Sequence, residues 1–213
     1  MKYYPAYLDL RERPCMVIGG GGVAERKALS LIEAGAVITV ISPSLTPKLH
    51  DLSESGKINH LKKNFEDRDV SGAYLVIAAT DSPEVNSSVA RICKKKQVLV
   101  NVAVPPAEGS FIAPAVVERG DLLIAVSTSG ASPALSRKIR QELEKQFGPE
   151  YDLFLSKLTG IRKRMLEEIA DENARRKIFQ SIVDSDVIDL LRQGKTHEAE
   201  LRMAEIAGLQ HRT

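Results

Sequence analysis

The chain has 213 residues and a formal net charge of +2, with 30 basic and 28 acidic side chains. This near balance argues against a nucleic acid or a membrane surface as the main partner. The first residues lack a long apolar segment and no later run is long enough to span a bilayer, so the sequence predicts a cytoplasmic protein without a signal peptide. Two cysteines, Cys15 and Cys93, lie in apolar patterns and are predicted to be buried free thiols.

Residues 1–112 alternate short apolar runs with helical stretches, which is typical of β-α-β units that build a parallel sheet. The runs are continuously apolar, as expected for strands that helices cover on both faces. The predicted strands are 15–18, 37–41, 58–61, 74–79 and 98–102, and the predicted helices between them are 23–34, 46–55 and 84–96. The sequence therefore predicts an α/β protein whose first domain, residues 1–112, is a Rossmann-like parallel sheet.

The pattern changes after this domain. Two apolar runs, 110–117 and 122–127, flank a polar turn at 118–121 and predict a β-hairpin, and a Ser-Pro pair then opens a helix. The residues beyond are charged and helical, so we expect a dimerisation region over 113–149 and a small all-helical C-terminal domain over 150–213. A lone hairpin exposes its edges and one apolar face, which predicts a homodimer built through the middle region.

A run of glycines, residues 19–22, follows the first predicted strand and precedes a helical pattern. Gly19 and Gly21 occupy the first two positions of a G-x-G-x-x-G/A pattern, and Ala24 occupies the third. The first position permits a tight turn, the second lets a pyrophosphate approach the backbone, and the third must be small so that helix and strand can pack. The following helix offers unpaired N–H groups and a partial positive charge at its start. This context predicts a dinucleotide site at the glycine turn.

The ends of the later strands supply candidates for the rest of the cofactor site, because ligands bind beyond the carboxyl ends of parallel strands. Ser42 and Ser44 follow the second strand, where a carboxylate more often binds the adenosine ribose. No arginine stands there for a 2′-phosphate, so we predict NAD, while the sequence leaves NADP open. Thr80 and Asn101 close the fourth and fifth strands and are predicted to contact the cofactor. Asp81, beside Thr80, is equally suited to cap the next helix.

A second candidate site is the hydroxyl-rich loop 127–133, which ends at the start of a helix and is suited to receive a carboxylate. Arginine binds carboxylates through two parallel hydrogen bonds, and Arg137 follows in that helix, although a solvated basic face explains it equally well. The predicted substrate-binding residues are Ser127, Thr128, Ser129, Gly130 and Arg137. No spacing of cysteines and histidines indicates zinc, so no metal site is predicted.

Four segments carry a resemblance to a known family, and the first and last are specific in combination: VIGGGGVAERK at 17–27, AATD at 78–81, SFIAP at 110–114 and VSTSGASP at 126–133. They resemble the precorrin-2 dehydrogenase / sirohydrochlorin ferrochelatase family, the N-terminal module of siroheme synthases, over nearly the whole chain and most weakly beyond residue 150. The resemblance implies NAD-dependent removal of a hydride and a proton from precorrin-2, giving sirohydrochlorin, by a free-standing form without a fused methyltransferase domain. It also implies cofactor contacts at Gly21, Gly22, Val23, Pro43 and Ser44.

One position departs from this family. Val104 stands where members commonly carry an aspartate that is thought to serve both activities, and valine neither takes up a proton nor binds a metal. We therefore expect weak or absent ferrochelatase activity, and the carboxylates of Glu108 and Asp81 are the candidate proton acceptors. A phosphorylatable serine of some members corresponds to Thr128. Because of Val104, a non-catalytic NAD-responsive binding or regulatory module is the alternative hypothesis.

Overall fold

The computed structural model describes residues 2–208, which divide after Ala113 into two compact units. The hairpin and the later helices, which the sequence assigns to separate regions 113–149 and 150–213, lie together in the second unit. Their separation into two domains stays a prediction. Among the described residues, no helix is both long and apolar enough to cross a membrane.

The first unit is built on a five-stranded parallel sheet with the order β3-β2-β1-β4-β5. Its strands are β1 (Pro14–Ile18), β2 (Val37–Ile41), β3 (Asn59–Leu61), β4 (Leu75–Ala78) and β5 (Leu99–Val102). The α-helices that lie between them are α1 (Gly22–Glu33), α2 (Pro47–Glu54) and α3 (Pro83–Lys95). The chain runs outward from β1 to β3 and then places β4 on the other side of β1, so the strand order reverses there. This arrangement confirms the predicted α/β, Rossmann-like class.

Each face of the sheet has its own apolar core, because neighbouring strand residues point to opposite faces. Val17 belongs to one core and Ile18 to the other, and both are almost fully buried. Ala24 and Ala28 of α1 are fully buried as well. Their small side chains let α1 pack closely on the sheet, as the glycine pattern predicts.

Cys15 of β1 and Cys93 of α3 are buried and free of disulfides, as the sequence predicts. Burial raises the pKa of each thiol to about 11, so both are neutral near pH 7. A neutral, buried thiol is a poor nucleophile, and neither cysteine is a catalytic candidate.

The second unit begins with an antiparallel hairpin of β6 (Ala115–Arg119) and β7 (Leu122–Val126). The helices that follow among the described residues are α4 (Pro133–Gln146), α5 (Glu150–Glu168), α6 (Glu172–Val183), α7 (Val187–Arg192) and α8 (Thr196–Ala207). The helical stretch beyond the hairpin has its own apolar core, which includes Phe154, Met165 and Ile182. A hairpin followed by helices is the secondary structure that the sequence predicts for this part of the chain.

The first hairpin strand begins later than predicted. The sequence places it at 110–117, but β6 starts at Ala115, because the hydroxyl of Ser110 accepts a hydrogen bond from the Val100 amide (2.8 Å) and ties this segment to β5. The turn is also shorter than predicted and consists of Gly120 and Asp121. Gly120 adopts the left-handed conformation (φ +57°) that two-residue hairpin turns favour.

Candidate functional site: a dinucleotide cleft and a hydroxyl loop

A cleft of about 800 Å³ opens at the carboxyl ends of the parallel strands in the first unit. It lies where the strand order reverses, between the loops that follow β1 and β4, and the loops after β2 and β3 complete its walls. The predicted cofactor residues that line this cleft are Gly19, Gly21, Ser42, Pro43, Ser44 and Thr80. The structure therefore brings together residues from three loops that the sequence assigns to one site.

Two of the glycines shape the cleft through close backbone packing. Gly19 adopts φ +123°, and a Cβ atom on it would lie 2.3 Å from the carbonyl oxygen of Ala79. A Cβ atom on Gly20 would lie 1.9 Å from the carbonyl oxygen of Ser44. Because no side chain fits at these distances, the two glycines allow the loops after β1, β2 and β4 to converge.

The other two glycines face open space. A Cβ atom on Gly21 or Gly22 would meet no atom within 4 Å. Gly21 is the N-cap of α1 and supplies no side-chain acceptor, whereas Thr46 and Ser82 accept hydrogen bonds from the first turns of α2 and α3. Of the three α-helices described in this unit, α1 therefore keeps its first amides available. Open space, free N–H donors and a positive helix end fit the pyrophosphate of a dinucleotide.

The end of β2 forms the wall beside this glycine cradle. The Ser42 amide donates to the Leu61 carbonyl (3.2 Å), and the Ser42 carbonyl lies 2.9 Å from Nε2 of His60. These contacts hold β2 and β3 together up to the edge of the cleft. The hydroxyl groups of Ser42 and Ser44 have no hydrogen-bond partner among the described residues, so both are available to the hydroxyls of a ribose.

Thr80 is tied to a side chain that the sequence interpretation missed. Asn86 of α3 is fully buried, and its Oδ1 accepts hydrogen bonds from the Thr80 amide (3.1 Å) and the Thr80 hydroxyl (2.9 Å). Its Nδ2 donates to the carbonyl oxygens of Thr80 and Val104, both at 3.1 Å. Asn86 thus joins the loops after β4 and β5. Its signal in the sequence is an amide in the apolar stripe of α3, three residues before the buried Val89.

Asn101 does not line the cleft. It is buried at the end of β5, and its Nδ2 donates to the Phe111 carbonyl (3.1 Å), so it holds the segment that follows β5. A contact between Asn101 and the cofactor therefore stays a prediction that this geometry does not support. Gly22 and Val23 begin α1, and Val23 is exposed, so both lie where a ligand on the helix end would contact them.

The two candidate proton acceptors lie in different places. Asp81 is exposed and lines the cleft, and the residue that caps α3 is Ser82, so capping does not explain Asp81. Glu108 lies in a separate depression with Arg91 and Lys94 of α3. Of the two candidate acceptors, Asp81 is therefore the one that lines the cleft.

The wall after β3 was also missed by the sequence interpretation. Its cleft-lining residues are Lys63, Asn64, Phe65 and Asp67. The ammonium of Lys63 lies 2.7 Å from Oδ1 of Asp69 and 3.7 Å from Oε1 of Glu66. The rule that ligands bind at the carboxyl ends of parallel strands applies to β3 as well, so the sequence carried a signal for this wall.

In the second unit, the hydroxyls of loop 127–133 mostly hold the loop itself. The Thr128 hydroxyl donates to the Ser132 carbonyl and accepts from the Ser132 amide, both at 3.0 Å. The Ser127 hydroxyl accepts from the Ser129 amide (3.0 Å), and Ser132 caps α4 by accepting from the Leu135 amide (3.2 Å). The loop is therefore a built turn rather than an open row of donors.

Ser129 and Arg137 remain available to a ligand. The hydroxyl of Ser129 is exposed and has no hydrogen bond among the described residues. Arg137 is exposed and has no ion pair in the described part of the chain, whereas Arg140 pairs with Glu144. In residues 2–208, no group of three or more His, Cys, Asp or Glu side chains is placed to hold a metal ion.

Two family models match the chain. One, described as NAD(P)-binding, matches residues 6–115, and the other, described as sirohaem biosynthesis protein central, matches residues 119–146. Since the first match covers more than half of the chain, the chain belongs to this NAD(P)-binding family. The family and the cradle support a nicotinamide dinucleotide as the cofactor, as the sequence predicts.

Siroheme synthases are similar to nearly all of the chain. The siroheme synthase of Methylococcus capsulatus is 37% identical over 207 residues, which are 97% of this chain and 44% of that protein. The siroheme synthase of Thioalkalivibrio sulfidiphilus is 36% identical over 199 residues, which are 93% of this chain and 41% of that protein. The chain thus spans less than half the length of these curated relatives.

A solved structure is similar over its full length. SirC, a precorrin-2 dehydrogenase, matches with a TM-score of 0.81 and 27% identity, over 95% of this chain and 100% of that chain. Together with the siroheme synthases, this match confirms the family resemblance that the four sequence segments indicate.

Proposed function

We propose that this chain is an NAD-dependent precorrin-2 dehydrogenase of siroheme biosynthesis. The observation that carries the proposal is the open glycine cradle, in a fold that matches SirC over the whole of that dehydrogenase. The reaction converts precorrin-2 and NAD⁺ to sirohydrochlorin, NADH and a proton. The protein must therefore hold a dinucleotide and a macrocycle and let a proton leave.

Different residues of the cleft fit the pyrophosphate and the adenosine ribose of NAD. The amides at Gly21 and Gly22 bind the pyrophosphate at the start of α1. The hydroxyls of Ser42 and Ser44 bind the adenosine ribose at the end of β2, with Pro43 between them. When bound, NAD supplies the hydride acceptor of the reaction.

The substrate carries a fringe of carboxylates, and the second unit offers groups that bind carboxylates. Arg137 supplies a fixed charge and two parallel donors, and Ser129 supplies an exposed hydroxyl. Ser127, Thr128 and Gly130 hold the shape of the loop, since Gly130 adopts φ +89° and the two hydroxyls bond within the loop. Precorrin-2 binding is thus assigned to Ser129 and Arg137.

For the proton, Asp81 is the one of the two candidate acceptors that lines the cleft. Val104, at the family's aspartate position, is 58% exposed and offers no group that takes up a proton. Asp81 is therefore the proposed acceptor, and Glu108, outside the cleft, is the second choice. For the same reason we propose that iron insertion into sirohydrochlorin is weak or absent.

We also propose a cytoplasmic homodimer built through the hairpin. Val117 of β6 is fully buried, whereas Val116 and Ala125, which pair across the hairpin on its other face, are exposed. A two-stranded sheet with an exposed apolar face is marginal alone, and a second copy would cover it. Sedimentation should show a dimer that Val116→Glu converts to a monomer. A wild-type monomer would contradict this assignment.

Anaerobic incubation of the protein with precorrin-2 and NAD tests the proposed reaction. We expect NADH and sirohydrochlorin absorbance to rise together in equal amounts. A protein that binds NAD but forms neither product would support the alternative, a non-catalytic NAD-responsive binding or regulatory module. Asp81→Asn should lower kcat while Glu108→Gln leaves it near wild type, and the reverse pattern would assign the proton to Glu108.

A further inference from the structure

Among the described residues that line the dinucleotide cleft, Lys63 is the only one with a basic side chain. Its position follows from the end of β3, because the amides of Lys63 (2.8 Å) and Ser42 (3.2 Å) both donate to the carbonyl of Leu61. The loops that carry Lys63 and Ser42 are therefore adjacent where β2 and β3 end. In this fold, the adenosine ribose, with its 2′ position, binds at the end of β2.

The charge of Lys63 is already balanced within the wall. Its ammonium lies 2.7 Å from Oδ1 of Asp69, and the other carboxylate oxygen of Asp69 accepts the Glu66 amide (2.8 Å). The Asp69 side chain is only 9% exposed, so solvent screens this pair less than an open surface pair. Burial alone would raise the pKa of Asp69, but the hydrogen bonds from Lys63 and the Glu66 amide outweigh it and hold the pKa below its usual range. Asp69 is thus ionised at neutral pH.

Apart from Lys63, the charged side chains of the cleft lining are all acidic. They are Asp67, Asp81 and Glu84. The Ser82 hydroxyl donates to Glu84 (2.7 Å) and holds the pKa of that carboxyl below its usual range, so Glu84 is ionised as well. A 2′-phosphate would bring two further negative charges into this lining, whereas the 2′-hydroxyl of NAD brings none.

We propose that the Lys63–Asp69 ion pair makes the cleft selective for NAD over NADP. Asp69 already pairs with the ammonium that would otherwise bind a 2′-phosphate, and the negative charge of the cleft lining disfavours that phosphate. This inference rests on the proposed function, because it concerns the cofactor of the same site. Lys63 and Asp69 determine specificity and take no part in hydride transfer.

The test is calorimetric titration of NAD and NADP into the protein without precorrin-2. Wild type should bind NADP at least about tenfold more weakly than NAD. Asp69→Asn keeps an oxygen for the Glu66 amide but removes the charge, so it should tighten NADP binding about tenfold and leave NAD within about twofold. The double variant Lys63→Ala/Asp69→Asn should lose this gain, because no ammonium is left for the phosphate.

Glu66→Gln serves as a second variant, because it removes the longer ion pair of Lys63 (3.7 Å), together with the Glu66–Arg68 pair (2.7 Å), and leaves Asp69 in place. It should tighten NADP binding by a smaller factor in the same direction. Three results would overturn the inference. They are equal affinity of wild type for NAD and NADP, no tighter NADP binding in either variant, and tighter NADP binding that persists without Lys63. In each of those results NAD still binds, whereas a wild-type chain that does not bind NAD contradicts the proposed function itself.

Discussion

The starts of α1 and α4 are both candidate anion sites, and they are built in opposite ways. The N-cap of α1 is Gly21, which has no side chain, so the first amides of that helix stay open. The N-cap of α4 is Ser132, whose hydroxyl already accepts the Leu135 amide (3.2 Å). An anion at the start of α1 therefore meets free backbone N–H donors. At the start of α4, the Ser132 hydroxyl already accepts one of the first backbone N–H groups.

This difference shows which groups bind the ligand at each site. At α1 affinity depends on open space above Gly21 and Gly22, so any added side chain there competes with a phosphate. At α4 affinity depends on side chains, foremost Arg137 and Ser129. Substitutions that add atoms should thus damage the first site, and substitutions that remove a charge should damage the second.

The largest loss of stability is expected at Gly19, where the absence of a side chain lets two loops of the cleft pack together. Gly19→Ala places a Cβ atom 2.3 Å from the Ala79 carbonyl oxygen at φ +123°, and it should lower the free energy of unfolding by about 3 kcal/mol. Gly56→Ala is the control, since Gly56 has φ +70° but no atom within 4 Å, and it should cost only about 1 kcal/mol. Urea unfolding measures both, and equal losses would contradict the packing role of Gly19.

A loss nearly as large is expected at Asn86. Asn86→Ala leaves the Thr80 amide and the carbonyls of Thr80 and Val104 without their partner, which should cost about 2–3 kcal/mol of unfolding free energy. Asn59→Ala, on an exposed position of β3, should change it by less than about 0.5 kcal/mol. Denaturant titration measures both variants, and equal losses would contradict the role of Asn86 in joining the loops after β4 and β5.

The side-chain site should respond to loss of charge. Arg137→Ala should raise KM for precorrin-2 about tenfold, because a charge-assisted contact with a carboxylate is lost. Lys138→Ala is the matched control, because Lys138 is also exposed but pairs with Glu142 (4.0 Å). Steady-state NADH formation measures both. The same KM for both variants would mean that Arg137 belongs to a solvated basic face.

The smallest effect concerns the cap of α4. Ser132→Ala removes the acceptor of the Leu135 amide and should cost about 1 kcal/mol of unfolding free energy, with no change in NAD affinity. Ser156→Ala, on an exposed position within α5, should cost nothing, since alanine favours a helix interior. Thermal unfolding and an NAD titration check both variants, and weaker NAD binding by Ser132→Ala would contradict the assignment of NAD to the first unit alone.

The parallel sheet was predictable because its strands are short, continuously apolar runs with turn residues between them. The glycine turn was predictable for the same local reason, since strand, glycines and helix follow one another within the sequence. Ser110 shows the limit of this reasoning. Its segment is as apolar as a strand, but a hydrogen bond with Val100 of β5 fixes its position. No local sequence pattern signals that hydrogen bond.

The parts of the site that escaped prediction depend on side-chain partners that local sequence patterns do not identify. Asn86 bonds to Val104, 18 positions later in the chain, and Lys63 pairs with Asp69, which lies in a 3₁₀ turn (Asp67–Val70) after β3. Asn101 sits at a strand end like the other candidates, yet the Phe111 carbonyl takes its side chain. The position of a residue at a strand end therefore predicts that it lies near the site. The hydrogen-bond partners of its side chain decide whether that side chain faces the cleft.

Titration of NAD into the Gly21→Val variant tests the central claim most directly. Gly21 has an extended backbone (φ −86°) that valine adopts, and a Cβ atom there meets no atom within 4 Å, so the variant should fold with a loss of no more than about 1 kcal/mol. Its side chain fills the space assigned to the pyrophosphate, so NAD affinity should fall by at least about 100-fold, or about 2.7 kcal/mol. Unchanged NAD affinity in the folded variant would show that the dinucleotide does not bind at the start of α1.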